Sequence, residues 1–313
     1  MIEPFKNILI CLDRTQTDHD LLNFGRFIIN SSDTVEKVIV INILKSLSIP
    51  SEVLEEFPDL KKNAVEERIR DLNGILEEHL SDKDIEKEVV VETGSSLKTI
   101  LKIINSESID LVLAGKKPSD EGHGILTQRL GRRCPVTLLI VPKGSTKKIE
   151  AGNKIRRILV PTDFSEYSIL AIERAVDIAK NYEGTEIVVQ HVYSVPSGYH
   201  YSGKSRDEFG QIMKKNAEKQ FKKFILKCNC KDINIREVYT LDDNENIVED
   251  IHNFAKEIEA TGIIFGSKGM TATTSYFLGS TAEKLIKIDT DFPLMVVRRA
   301  GDYKGIMDLI NKL

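Results

Sequence analysis

The chain has 313 residues, 41% of them hydrophobic and 29% charged, with a formal net charge of −4. That length suits two domains of about 150 residues, and the slight acidity gives no reason to expect a nucleic-acid or membrane-surface binder. No apolar run approaches the roughly 18 residues of a membrane span, and Met1 to Lys6 lacks the basic start and long apolar centre of a signal peptide, so the cytoplasm is the expected compartment.

In the first half the apolar runs are "NILICLDR" at 7–14, "VIVINIL" at 38–44, "IDLVLAGKK" at 109–117 and "CPVTLLIVP" at 134–142. Cys11 and Cys134 sit inside such runs and read as small buried hydrophobes. The stretch "KGSTKKIEAGNK" at 143–154 is polar, basic and contains Gly and Ser, the composition of a linker.

After the linker the runs return: "RILVPTDF" at 157–164, "IVVQHVY" at 187–193, "TGIIFGSKG" at 261–269 and "FPLMVVRR" at 292–299. The spacing between partners stays near 150 residues until the last pair, so a segment between 117 and 134 is shorter in the first copy. Between the first two runs, Ile169, Ile172, Ala175, Val176 and Ala179 fall on one helix face, which predicts a helix over 166–180. The runs themselves are apolar throughout rather than alternating, as in strands of a parallel sheet covered on both faces. Strand–helix alternation with right-handed crossovers predicts an α/β fold, two doubly wound parallel-sheet domains in tandem. Their expected limits are 1–145 and 154–300, followed by a tail at 301–313. Cys228 and Cys230 form a Cys-x-Cys pair without further ligands at zinc-finger spacing, and read as incidental thiols near a helix end.

The second half also carries "GSKGMTATTSYFLGST" at 266–281. Gly266 follows an apolar strand directly, where a tight turn would use glycine's access to positive φ. Gly269 would keep the backbone bare for close approach of a ligand. Ser280 reads as the N-cap of the helix that follows, with Glu283 completing a capping box. Strand, open loop and helix start bring amides and the positive end of a helix dipole together, an arrangement suited to phosphate. The stretch is neither a Walker A loop nor G-x-G-x-x-G.

The spacing G-x2-G-x9-G-[ST], matched by Gly266, Gly269, Gly279 and Ser280, resembles the ATP-binding subclass of the universal stress protein family. So does Pro161-Thr162-Asp163 at the end of the first strand of this half, and the similarity runs through both repeats. The resemblance implies a Rossmann-like strand order 3-2-1-4-5, with Asp163 and Gly266 opening into one crevice at the switch point. It implies an adenine nucleotide, with Asp163, Pro161 and Thr162 near the adenosine and Val192 against the adenine. Phe265, Gly266, Lys268, Gly269, Gly279, Ser280 and Thr281 would surround the ribose and phosphates. The alternative readings of Asp163 are a cap of the next helix and a group that helps hold hydrated Mg²⁺ alongside ATP. His191 reads as a packed strand residue.

The first half departs from this pattern. Cys11-Leu12-Asp13 keeps only the carboxylate, Pro118 removes an amide donor where Gly269 would stand, and Ile125-Leu126 replaces Ser280-Thr281. This half is expected to be degenerate for ATP. The functional expectation is an ATP-binding regulatory or stress-response protein with at most slow hydrolysis. The alternatives are a partner-binding scaffold with a vestigial site, or an adenylating or hydrolytic enzyme on the same fold. Strand 5 of each half is an apolar sheet edge, so the two edges are expected to pair within the chain as a pseudo-dimer; homodimerisation stays open.

Overall fold

The computed structural model describes residues 3–44, 51–80, 83–117, 125–146, 155–230, 233–270, 278–288 and 290–299. Pro118, Gly124, the part of the glycine-rich stretch at 271–277, the linker from 147 to 154 and the tail beyond Arg299 lie outside the described residues.

The first half runs β1 (Asn7–Leu12), α1 (Thr17–Ser31), β2 (Lys37–Leu44), α2 (Ser51–Glu56), α3 (Leu60–His79), β3 (Glu86–Thr93), α4 (Ser96–Ser106), β4 (Leu111–Lys116), α5 (Ile125–Arg133) and β5 (Thr137–Pro142). The second repeats it as β6 (Arg157–Pro161), α6 (Glu166–Lys180), β7 (Glu186–Tyr193), a 3-10 turn at Ser197–Ser202, α7 (Arg206–Ile225), β8 (Ile235–Leu241), α8 (Ile247–Glu257), β9 (Gly262–Gly266), α9 (Ser280–Lys287) and β10 (Leu294–Val297). The helix at 166–180 starts where its cap dictates, because the Ser165 hydroxyl accepts from the Ser168 amide.

Within each half the strands are parallel and ordered 3-2-1-4-5. Continuous apolar runs follow from this, since Leu9, Ile10, Val188 and Val189 are all buried although neighbours point to opposite faces. Two apolar layers result, one on each side of the sheet.

The halves join into one ten-stranded sheet through β5 and β10, which pair antiparallel with Leu294 opposite Ile140 and Val296 opposite Leu138. Helices close over this seam on both faces. On one, Phe27 of α1 stacks on Tyr182 with ring centroids 4.5 Å apart, and the Arg174 guanidinium lies 3.8 Å above the Phe5 ring. On the other, α5 packs on α9, and Lys116 donates to the carbonyls of Ile286 and Ile288 at the C-terminal end of α9. Glu283 of α9 pairs with Arg132 of α5 and with Lys287. These hydrogen-bonded cations, Arg132 foremost, hold its carboxyl down at about 2.

Candidate functional site

β6 and β9 lie side by side at the centre of the second half's sheet, and the chain leaves their carboxyl ends toward opposite faces. That divergence opens the crevice in which ligands of open α/β sheets sit.

On the β6 side, the Thr162 amide donates to the Gln190 carbonyl at 2.8 Å, and His191 Nδ1 lies 2.9 Å from the Thr162 carbonyl. His191 also stacks on Phe164 at 4.2 Å. Burial pushes its pKa below the ordinary value, against the opposing pull of the Thr162 carbonyl and of Asp163. Phe164 takes a positive φ of 66°, which turns the chain from strand into helix. Arg14, the residue after Asp13 in the first half, does the same at 61°.

Asp163 holds the two sides together. Its Oδ1 accepts from the Ser168 hydroxyl at 2.9 Å and from the Ser165 amide at 3.1 Å. Its Oδ2 accepts from the Met270 amide at 2.8 Å, tying the loop after β6 to the loop after β9. The carboxylate is therefore engaged internally. Among the described residues no three His, Cys, Asp or Glu side chains gather as a metal site.

The glycines do different work from that expected. Gly266 is not among the positive-φ glycines; a Cβ there would stand 2.8 Å from the backbone C and O of Tyr167. Bare backbone at that point lets β9 approach the start of α6. At Gly269 a Cβ would meet Asp163 Oδ2 at 2.5 Å, so this glycine makes room for the carboxylate that anchors the loop. Gly279, not Ser280, is the N-cap of α9, and no side chain caps the helix. The Glu283 amide bonds the Gly279 carbonyl at 2.8 Å, while the Glu283 side chain turns to Arg132 and Lys287. The capping box expected of Ser280 and Glu283 is absent, and the first amides of α9 have no intrahelical acceptor.

Between these elements lies a cavity of about 400 Å³. Pro161, Thr162 and Asp163 line it from β6 and Val192 from β7; Phe265, Gly266, Lys268 and Gly269 come from β9 and its loop. Gly279, Ser280 and Thr281 close it at the start of α9. Every residue singled out in the sequence for the site is thus on one cavity wall. Lys268 is buried, and its Nζ donates to the Tyr167 hydroxyl at 2.9 Å. The sequence reading did not place Ser168, Gln190, Ile247 or Ile251 in the site, yet they line it too. For Gln190 a signal existed: a carboxamide follows the apolar run Ile187-Val188-Val189 inside one strand.

The matching crevice of the first half holds about 80 Å³. There Lys117 pairs with Asp13 at 2.8 Å, and Ile41 and Ile43 line the wall where the second half has Gln190 and Val192.

The universal stress protein family model matches residues 4–142 and again 154–298. A relative named universal stress protein E homolog, from Haemophilus influenzae, is 22% identical over 304 residues, covering 90% of this chain and 94% of that protein. Among solved structures, a universal stress protein from Archaeoglobus fulgidus superposes with a TM-score of 0.61 at 19% identity, over 95% of this chain and 97% of the other. A Pseudomonas aeruginosa protein described as functionally unknown gives 0.65 at 14% identity, over 99% and 98%. With two tandem matches to the family model along nearly its whole length, the chain belongs to the universal stress protein family.

Proposed function

We propose that the second half, residues 154–300, holds one adenine nucleotide, and that the first, residues 1–145, is the degenerate copy. In this reading the adenosine lies along Pro161, Thr162, Asp163 and Val192. The phosphates lie between Lys268, Gly269 and the start of α9 at Gly279, Ser280 and Thr281. The observation that carries it is the cavity of about 400 Å³ at the strand switch point, closed by a helix N-terminus that no side chain caps. Uncapped amides with the positive end of the helix dipole favour an anion there. Magnesium would come with the phosphates.

Among the described residues no side chain is placed as an evident general base for hydrolysis. His191 is turned to the Thr162 carbonyl and the Phe164 ring, and Asp163 is held by three donors. The chain is accordingly a nucleotide-binding regulator of a stress response in the cytoplasm, with slow turnover at most. Its halves act as a pseudo-two-fold pair through β5 and β10. Calorimetric titration of the full chain with Mg²⁺ and ATP should return one site. Two equivalent sites, or none, would overturn the reading.

A further inference from the structure

Gln190 is fully buried, on the face of β7 that lines the cavity. Its Nε2 donates to the Thr240 hydroxyl at 2.9 Å, while its Oε1 is buried with no hydrogen-bond partner. Buried carbonyl oxygens of side-chain amides are nearly always satisfied, so an orphan acceptor on a ligand cavity marks a place where a ligand donates. The surroundings specify the donor further. Ile247, Ile251, Phe265 and Leu285 form apolar walls beside it, which suit a flat ring and disfavour a charge. A planar heterocycle bearing an edge amino group satisfies both features.

The other half supplies the control. Gln190 stands opposite Pro161 in the β6–β7 ladder as Ile41 stands opposite Cys11 in the β1–β2 ladder. Ile41 is buried in the small crevice with no polar atom to satisfy. An aliphatic residue therefore fits this strand position, and folding does not require the carboxamide.

We infer that Gln190 is the base-reading residue of the cavity: its Oε1 accepts from the exocyclic 6-amino group of adenine and so selects adenine over purines with a 6-keto group. This rests on the nucleotide reading above. A 6-keto purine would set one carbonyl oxygen against another in an apolar pocket, and a purine with hydrogen at position 6 would leave Oε1 unsatisfied.

The test is to titrate the full chain with ATP, inosine triphosphate and purine riboside triphosphate, in the unmodified protein and in Gln190→Leu. The unmodified protein should bind ATP at least roughly tenfold more tightly than either analogue, the effect of one buried hydrogen bond gained against an acceptor left unmade. Gln190→Leu should bring the three within about twofold of each other, chiefly by weakening ATP. ATP binding with no preference in the unmodified protein, a preference for inosine triphosphate, or a preference that survives in Gln190→Leu refutes the role of Gln190 and leaves the site standing. Failure of all three nucleotides to bind refutes the site and this role together.

Discussion

The two halves share strand order, strand register and an aspartate at the end of the first strand, yet one crevice holds about 400 Å³ and the other about 80 Å³. Described side chains at matching positions differ in step with the two volumes. In the first half Lys117 lines the crevice and pairs with Asp13 at 2.8 Å; in the second the cavity lysine, Lys268, donates to the Tyr167 hydroxyl at 2.9 Å. Ile41 and Leu126 line the first crevice where Gln190 and Thr281 line the second. Two copies of one fold can thus keep the same sheet while their crevices differ about fivefold in volume, because packing the sheet and lining the crevice make separate demands.

The largest effect expected concerns occupancy. Gly279→Val should abolish ATP binding while the melt stays cooperative. A Cβ at Gly279 meets Gly269 N, Lys268 Cα and Ser267 O only at 3.5–3.6 Å, ordinary contact, so the fold should accept the substitution while the bulk at a cavity-lining position excludes the ligand. Normal ATP binding by this variant in calorimetry would break the contrast between the halves.

Next comes Gly266→Ala, where the new Cβ faces fixed backbone of Tyr167. Overpacking against backbone should cost about 3 kcal/mol in urea unfolding. Gly115→Ala meets a side chain, Thr17 Cγ2 at 2.7 Å, which can move, and about 1 kcal/mol is expected. Equal costs would show that the two strand–helix junctions are packed alike.

Asp163→Ala removes the acceptor of three hydrogen bonds and should cost roughly 2 kcal/mol of stability, with weaker ATP binding. Asp13→Ala removes an exposed ion pair with Lys117 and should stay within about 0.5 kcal/mol. Matching small losses would mean that the tie between the loops carries no weight.

The smallest effect is a pH dependence. Because burial depresses the His191 pKa, the unfolded chain takes up a proton near the ordinary value of about 6.5 before the native state does. Stability contributed by neutral His191 is therefore present above that value and lost as pH falls through the lower native pKa. Asn42, its counterpart in the first half, donates to the Leu12 carbonyl at 2.8 Å without titrating. His191→Asn should keep that bond and flatten the loss of stability between pH 7 and 5, as followed by denaturation midpoints. An unchanged slope would assign the acid sensitivity to other groups.

The fold was legible because strands covered on both faces must be apolar throughout, and because each run recurs about 150 residues later. The cavity residues were legible because strand ends and glycines are local signals. What each glycine does was not. The need for Gly266 comes from Tyr167, and that for Gly269 from Asp163, both more than ninety residues away along the chain. The cap of α9 is Gly279 and not Ser280, and Glu283 pairs with Arg132, more than 150 residues away along the chain, and with Lys287. Gln190 was not legible because the meaning of a polar residue in a strand lies in whether its oxygen has a partner, which depends on the fold.

The seam between the halves also sets a clock. Each parallel crossover closes within one half, but β5 waits for β10: Ile140 pairs with Leu294, a separation of 294 − 140 = 154 residues. At synthesis rates of about 5–20 residues per second, the newborn first half would stand for roughly 8–30 s with the apolar edge of Leu138, Leu139 and Ile140 unpaired. Through that interval an unpaired apolar edge is a template for pairing with another chain, and the arrival of β10 covers it.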